Sequence, residues 1–119
     1  MMMSSIPLAS EEGNIEGDFR ASLTFLTRKE GGRKTAAHSG YRPFIKFEDE
    51  ANIATSTIDF MDTEIALPGE SVIATIRIMG TSAFSNTLYA GLSFEVQEGE
   101  RKIGFGTIIE IYNPTLKSL

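Results

Sequence analysis

At 119 residues the chain suits one domain, large enough to bury a core and too small for a separate catalytic domain beside it. It has no cysteine, which excludes a disulfide framework and a thiolate metal site and makes a reducing compartment the natural setting. Residues 1–10 lack the basic start and apolar run of a secretory signal, and no later stretch approaches the roughly 20 apolar residues of a membrane span, so a soluble, cytoplasmic protein with no membrane association is expected.

The net charge of -5 hides a division. Residues 28–46 hold Arg28, Lys29, Arg33, Lys34, Arg42 and Lys46 against Glu30 alone, whereas residues 48–70 hold seven carboxylates and no Lys or Arg. A basic segment can bind a phosphate backbone even on an acidic protein, because screening confines each field to about 10 Å. The same charges serve equally well as the wet faces of strands.

Residues 1–18 are polar and acidic, with Glu11, Glu12, Glu16 and Asp18, and are expected to form a flexible arm. Strand one follows, alternating Ala21, Leu23 and Phe25 with Ser22 and Thr24, and it ends in a turn at Gly31-Gly32. Residues 34–43 read as a loop that contains His38 and closes on Gly40-Tyr41-Arg42-Pro43, before a short strand at 44–48. The Thr- and Ile-rich run 53–60 and the alternating run Val72, Ala74, Ile76, Ile78 are two more strands, separated by the turn Leu67-Pro68-Gly69-Glu70. Residues 92–112 form a hairpin: Leu92, Phe94 and Val96 alternate before the turn at Glu98-Gly99, and Ile103, Phe105, Ile109 and Ile111 after it. Gly104 and Gly106 fall on the opposite face from that apolar set, where a strand can coil or another backbone can approach. Residues 19–113 thus supply some six strands and almost no helix, which predicts an all-β, six-stranded antiparallel closed barrel, with residues 114–119 as a tail. The expected inward set is Leu23, Phe25, Val72, Ala74, Ile76, Ile78, Leu92, Phe94, Val96, Ile103, Phe105 and Ile109. Ile73, Met79 and Ile108 fall at the outward phase, and an apolar patch of that kind suits an isologous homodimer or a cover by the arm.

Little here can carry chemistry. His38 has no second histidine or cysteine to join it in a metal site or triad. Glu48-Asp49-Glu50 lacks the spaced oxygens and glycine of a calcium loop. Gly31-Gly32-Arg33-Lys34-Thr35 lacks the earlier glycine and following helix of a phosphate loop, and Gly104-Phe105-Gly106 lies inside a strand. A non-enzyme without metal or cofactor is expected.

Four ordered motifs, Lys29-Glu30-Gly31-Gly32-Arg33, Gly40-Tyr41-Arg42-Pro43, Leu67-Pro68-Gly69-Glu70 and Glu98-Gly99 through Ile103-Gly104-Phe105-Gly106, carry a resemblance. From about residue 19 to 112 the chain resembles the third, C-terminal domain of bacterial translation elongation factor Tu. In that family the domain is a six-stranded antiparallel barrel that follows a GTPase domain and a second barrel, contacts the T-stem of tRNA and packs on the other domains. The chain has no Walker loop, so it is expected neither to bind nor to hydrolyse GTP by the family's mechanism. The resemblance implies tRNA contacts at Arg33, Lys34, Thr55, Glu98 and Gly99. Departures lie at Lys34, where the family has His; at Phe44, in place of Gln; at Gln97, in place of Arg; at Glu100, in place of Gly; and near Gly80, where a lysine is missing. Two cations are lost, at Gln97 and near Gly80, and one anion is added, Glu100, which should weaken binding to a phosphate backbone. The implied function is a non-catalytic module that binds tRNA or the translation machinery. The alternative is a protein interaction module, a decoy or regulator, that mimics this domain and binds a protein partner of elongation factor Tu.

Overall fold

The computed structural model describes residues 17–119. Eight strands are labelled here in chain order: β1 Phe19–Phe25, β2 Ala37–His38, β3 Phe44–Phe47, β4 Ile53–Phe60, β5 Ile65–Ala66, β6 Ser71–Ile78, β7 Ser93–Glu98 and β8 Arg101–Ile111. Six of them close a barrel in the order β1-β6-β4-β3-β7-β8, every pair antiparallel, with β8 returning to β1. Closure leaves no barrel strand with an open edge. β2 and β5 form a separate two-stranded sheet, so His38, expected in a loop, lies on a short strand.

Period-two patterning dictates most of the interior, since β1 alternates buried and half-buried residues along its whole length. Phe19, Phe47 and Phe94 meet edge to face at one end, with ring centroids 5.9–6.0 Å apart, and Phe84 joins at 5.5 Å from Phe47. Phe84 comes from the short 3-10 helix Thr81–Phe84, which caps that end. Phe25 and Phe60 stack edge on at the other end.

The expected register is right for most of the barrel and wrong along β8. Phe105 and Ile109 point outward, 44% and 39% exposed, whereas Gly104, Gly106 and Ile108 are buried. Two bulges cause this. Val96 pairs with Gly104 but Gln97 with Lys102, so Ile103 is an extra residue, and Ile103 and Gly104 both turn inward. Arg20 pairs with Glu110 but Ala21 with Ile108, which makes Ile109 the second extra residue. Between the bulges the phase is reversed. The glycines do serve a close approach, but on the inner face: a Cβ on Gly106 would lie 2.5 Å from Phe94 Cζ and 2.6 Å from the Ser22 carbonyl oxygen. Val72 is half-buried against the core.

The same reversal takes Ile108 out of the expected outward patch, since it is buried; Ile73, on the unbulged β6, is half-buried, and Met79 is left exposed. Of the expected arm, residues 1–16 lie outside the described residues. Asp18 is held in place: its carboxylate accepts from the Ile78 amide (2.9 Å) and Asn113 Nδ2 (3.0 Å), and its carbonyl accepts from the amides of Tyr112 and Asn113. Beyond Asn113 the 3-10 helix Pro114–Leu116 buries Leu116 completely.

Candidate nucleic-acid interface

The loop after β1, the approach to β3 and the β7–β8 turn converge at one end of the barrel. The first loop is shaped by its own residues. Thr27 and Glu30 hold each other reciprocally, the Thr27 amide donating to Glu30 Oε1 (2.9 Å) and the Glu30 amide to Thr27 Oγ1 (3.2 Å). The hydrogen bond from the Thr27 amide, then that from its hydroxyl, lowers the Glu30 pKa. Gly32 follows, where a Cβ would sit 2.2 Å from the Leu26 carbonyl oxygen, so the chain can fold back only without a side chain. That fold-back delivers Arg33 toward the barrel and leaves Lys34 in solvent.

The β7–β8 turn is a two-residue hairpin loop, with Glu98 paired to Arg101 across Gly99 and Glu100. Gly99 adopts φ 62, the left-handed value that suits the first position of a type II′ turn. The turn is anchored to the first loop, since Arg101 Nη2 donates to the Gly32 carbonyl at 3.3 Å.

Arg33, Tyr41 and Glu98 form one cluster at this junction. Glu98 Oε2 accepts from both Arg33 Nη1 and the Tyr41 hydroxyl, and the guanidinium carbon lies 5.0 Å from the centre of the Tyr41 ring. Arg33 Nε and Nη2 donate to the carbonyls of Thr35 and Ala36 at 3.3 and 3.2 Å. Burial pushes the Tyr41 hydroxyl well above the ordinary tyrosine range, the bond and charge of Glu98 push it further, and Arg33 opposes them. Burial works against the Arg33 charge, but Glu98 and Tyr41 outweigh it and its pKa is raised.

Of the five residues implied by the resemblance, the fold brings Arg33, Lys34, Glu98 and Gly99 to this end. Thr55 is exposed on the outer wall, in one cross-strand row with Phe44 and Gln97, so it stands two strand spacings, about 10 Å, from Gln97. Sequence reading missed Tyr41, which sits inside a quoted motif, and Arg101. Their signal was weak because what joins them to the site is a tertiary contact between two turns. Arg28, Lys29, Lys34, Arg42 and Arg101 are exposed around the cluster with no ion pair among the described residues. Among those residues no group of His, Cys, Asp and Glu could hold a metal ion, and no helix is long and apolar enough to cross a membrane.

A closed six-stranded antiparallel barrel with exposed cations on its loop end is a small all-β domain of the kind that presents its loops for binding. Residues 14–112 match the family model of the elongation factor Tu C-terminal domain. The chain belongs to that family, whose domain is a non-catalytic β-barrel.

Proposed function

We propose that the chain is a non-catalytic module that binds the phosphate backbone of a tRNA stem through the loop end of its barrel. The observation that carries this reading is the set of exposed cations on the segments that meet at Arg33, namely Arg28, Lys29, Lys34, Arg42 and Arg101, none of them in an ion pair among the described residues. Such a set gains free energy from counterion release on a polyanion, and a neutral partner offers no equivalent. Phe44 and Gln97, on the wall beside it, supply no cation, so contacts toward Thr55 add shape rather than charge. Filter binding with aminoacyl-tRNA at low and at physiological salt tests the reading, and no retention at either salt overturns it. Lys34→Ala should weaken retention of different tRNAs alike and reduce the salt slope by about one, the signature of one lost phosphate contact.

A groove of about 530 Å³ on the wall of β1 and β6 favours a second reading, a module that binds a protein. Val72, Ile73 and Ile65 give it an apolar lining, and its charged residues are the carboxylates Asp62 and Glu70. In the six-strand ring this wall stands across from the β3–β7 pair. Carboxylates repel RNA, so what this groove suits is a protein segment with apolar and basic side chains. Pull-down from lysate with and without nuclease separates the two readings: recovery that depends on RNA supports the first, and partners retained after nuclease support the second.

A further inference from the structure

Arg33 is the most enclosed cation of the proposed interface, and every nitrogen of its guanidinium already has an acceptor. Nη1 faces Glu98 and Tyr41, Nε donates to the Thr35 carbonyl, and Nη2 donates to the Ala36 carbonyl and to Thr35 Oγ1 at 3.4 Å. A phosphate-binding arginine needs its fork open to two oxygens. Here a carboxylate of the same chain stands in that place, and a second donor, the Tyr41 hydroxyl, holds it there.

The geometry points to Glu98 as an internal competitor: it occupies Arg33 and Tyr41 where a phosphate oxygen would bind, so the interface refuses isolated anions and opens only to a polyanion that also engages the surrounding cations. This inference rests on the RNA reading and adds how the site selects its ligand. The enclosure supports it, because the Arg33 and Glu98 side chains are only 22% and 33% exposed, so the pair is not a loose surface contact. The backbone supports it too. Glu98 is the last residue before a tight turn whose far side is tied to Gly32, so the carboxylate is kept beside Arg33 at high effective concentration. A single phosphate that displaces it exchanges one anion for another and gains nothing. A duplex backbone that displaces it also releases counterions from Lys34, Arg42 and Arg101, and those terms drive the exchange.

Glu98→Gln tests this. The amide keeps the shape and an oxygen acceptor for Tyr41, but loses the charge that holds Arg33. In the wild type, inorganic phosphate should leave the Arg33 Nε–H and Tyr41 signals in a nitrogen-proton correlation spectrum unmoved. In Glu98→Gln they should shift and saturate, and retention of aminoacyl-tRNA at physiological salt should rise about tenfold, equivalent to 1.4 kcal/mol. Adding Arg33→Ala to Glu98→Gln should abolish both gains. Tyr41→Phe, which removes one of the two donors to Glu98, should move both measurements the same way by less, and it tests the idea independently should Glu98→Gln fail to fold. The inference is overturned if the wild type binds tRNA and Glu98→Gln binds it no more tightly, or if phosphate shifts Arg33 equally in both proteins. A wild type that retains no tRNA at either salt sinks the RNA reading itself; phosphate binding gained by the variant alone would still establish Glu98 as the competitor.

Discussion

Phe94 and Phe105 look interchangeable in the hairpin, one aromatic residue on each arm, but the fold gives them opposite surroundings. Phe94 is buried among Phe19 and Phe47, whereas Phe105 lies outside under Lys102, whose Nζ is 5.7 Å from the ring centre. Phe94→Ala should therefore cost about 3–5 kcal/mol and Phe105→Ala about 1 kcal/mol or less, as read from urea midpoints. Equal losses would contradict the bulged register. Tyr41 gives a test by pH. Its folded pKa is raised above the unfolded value of about 10, so the native state keeps a proton that the unfolded chain releases, and stability falls as pH rises through the unfolded value. The drop in urea midpoint between about pH 8 and pH 10.5 should be smaller in Tyr41→Phe than in the wild type. Some slope should persist, because the hydrogen bond to Asp49 raises Tyr89 in the same direction. At this scale Arg33 and Glu98 are recognisable in the sequence as separate motif residues. That one neutralises the other, with Tyr41 between them, depends on how two turns dock, and no local pattern encodes it.

Strand β1 is legible because it keeps one phase from end to end, so apolar spacing and burial agree along its length; β4 and β6 have no bulge either, although buried Ser56, exposed Ile53 and half-buried Ile73 blur their apolar spacing. β8 does not keep one phase. Its alternation Ile103, Phe105, Ile109 looks continuous, but a bulge at Ile103 and another at Ile109 reverse the phase in between, and a period count cannot register an extra residue that its partner strands lack. Gly104 and Gly106 were the available clue. Apolar residues on the outward phase and glycines on the inward one fit a strand that passes so close to its neighbours that no side chain has room. Gly106→Ala should cost about 1–3 kcal/mol, toward the upper end because one of the clashing atoms, the Ser22 carbonyl oxygen, is backbone and cannot rotate away. Thermal melting checks this, and a melting temperature at or above that of the wild type would rule out the inward placement. The small sheet of β2 and β5 escaped sequence reading for another reason, since two residues per strand are too few to show a period.

The whole barrel was more legible than its parts, because six strand-length runs with turn signals between them have few other ways to protect their edges. The ends of the chain were less so. Asp18 and Leu116 carry structure in segments whose composition suggests none, one through hydrogen bonds to strand ends and the other through a single buried side chain. The way the ring closes also bears on how the protein is made. β8 is the last of the described strands, and it seals the barrel by joining β7 on one side and β1, the first described strand, on the other. Until Arg101–Ile111 has left the ribosome, β1 and β7 each present an unsatisfied edge, and the sheet has no closed interior in which to bury its aromatic residues. The barrel should therefore form without a folded intermediate, in one step once residues 101–111 have emerged. Nascent chains arrested so that residues 101–119 remain in the exit tunnel should be cut readily by protease, and released chains should resist it; early resistance would mean that the other five strands fold without their keystone.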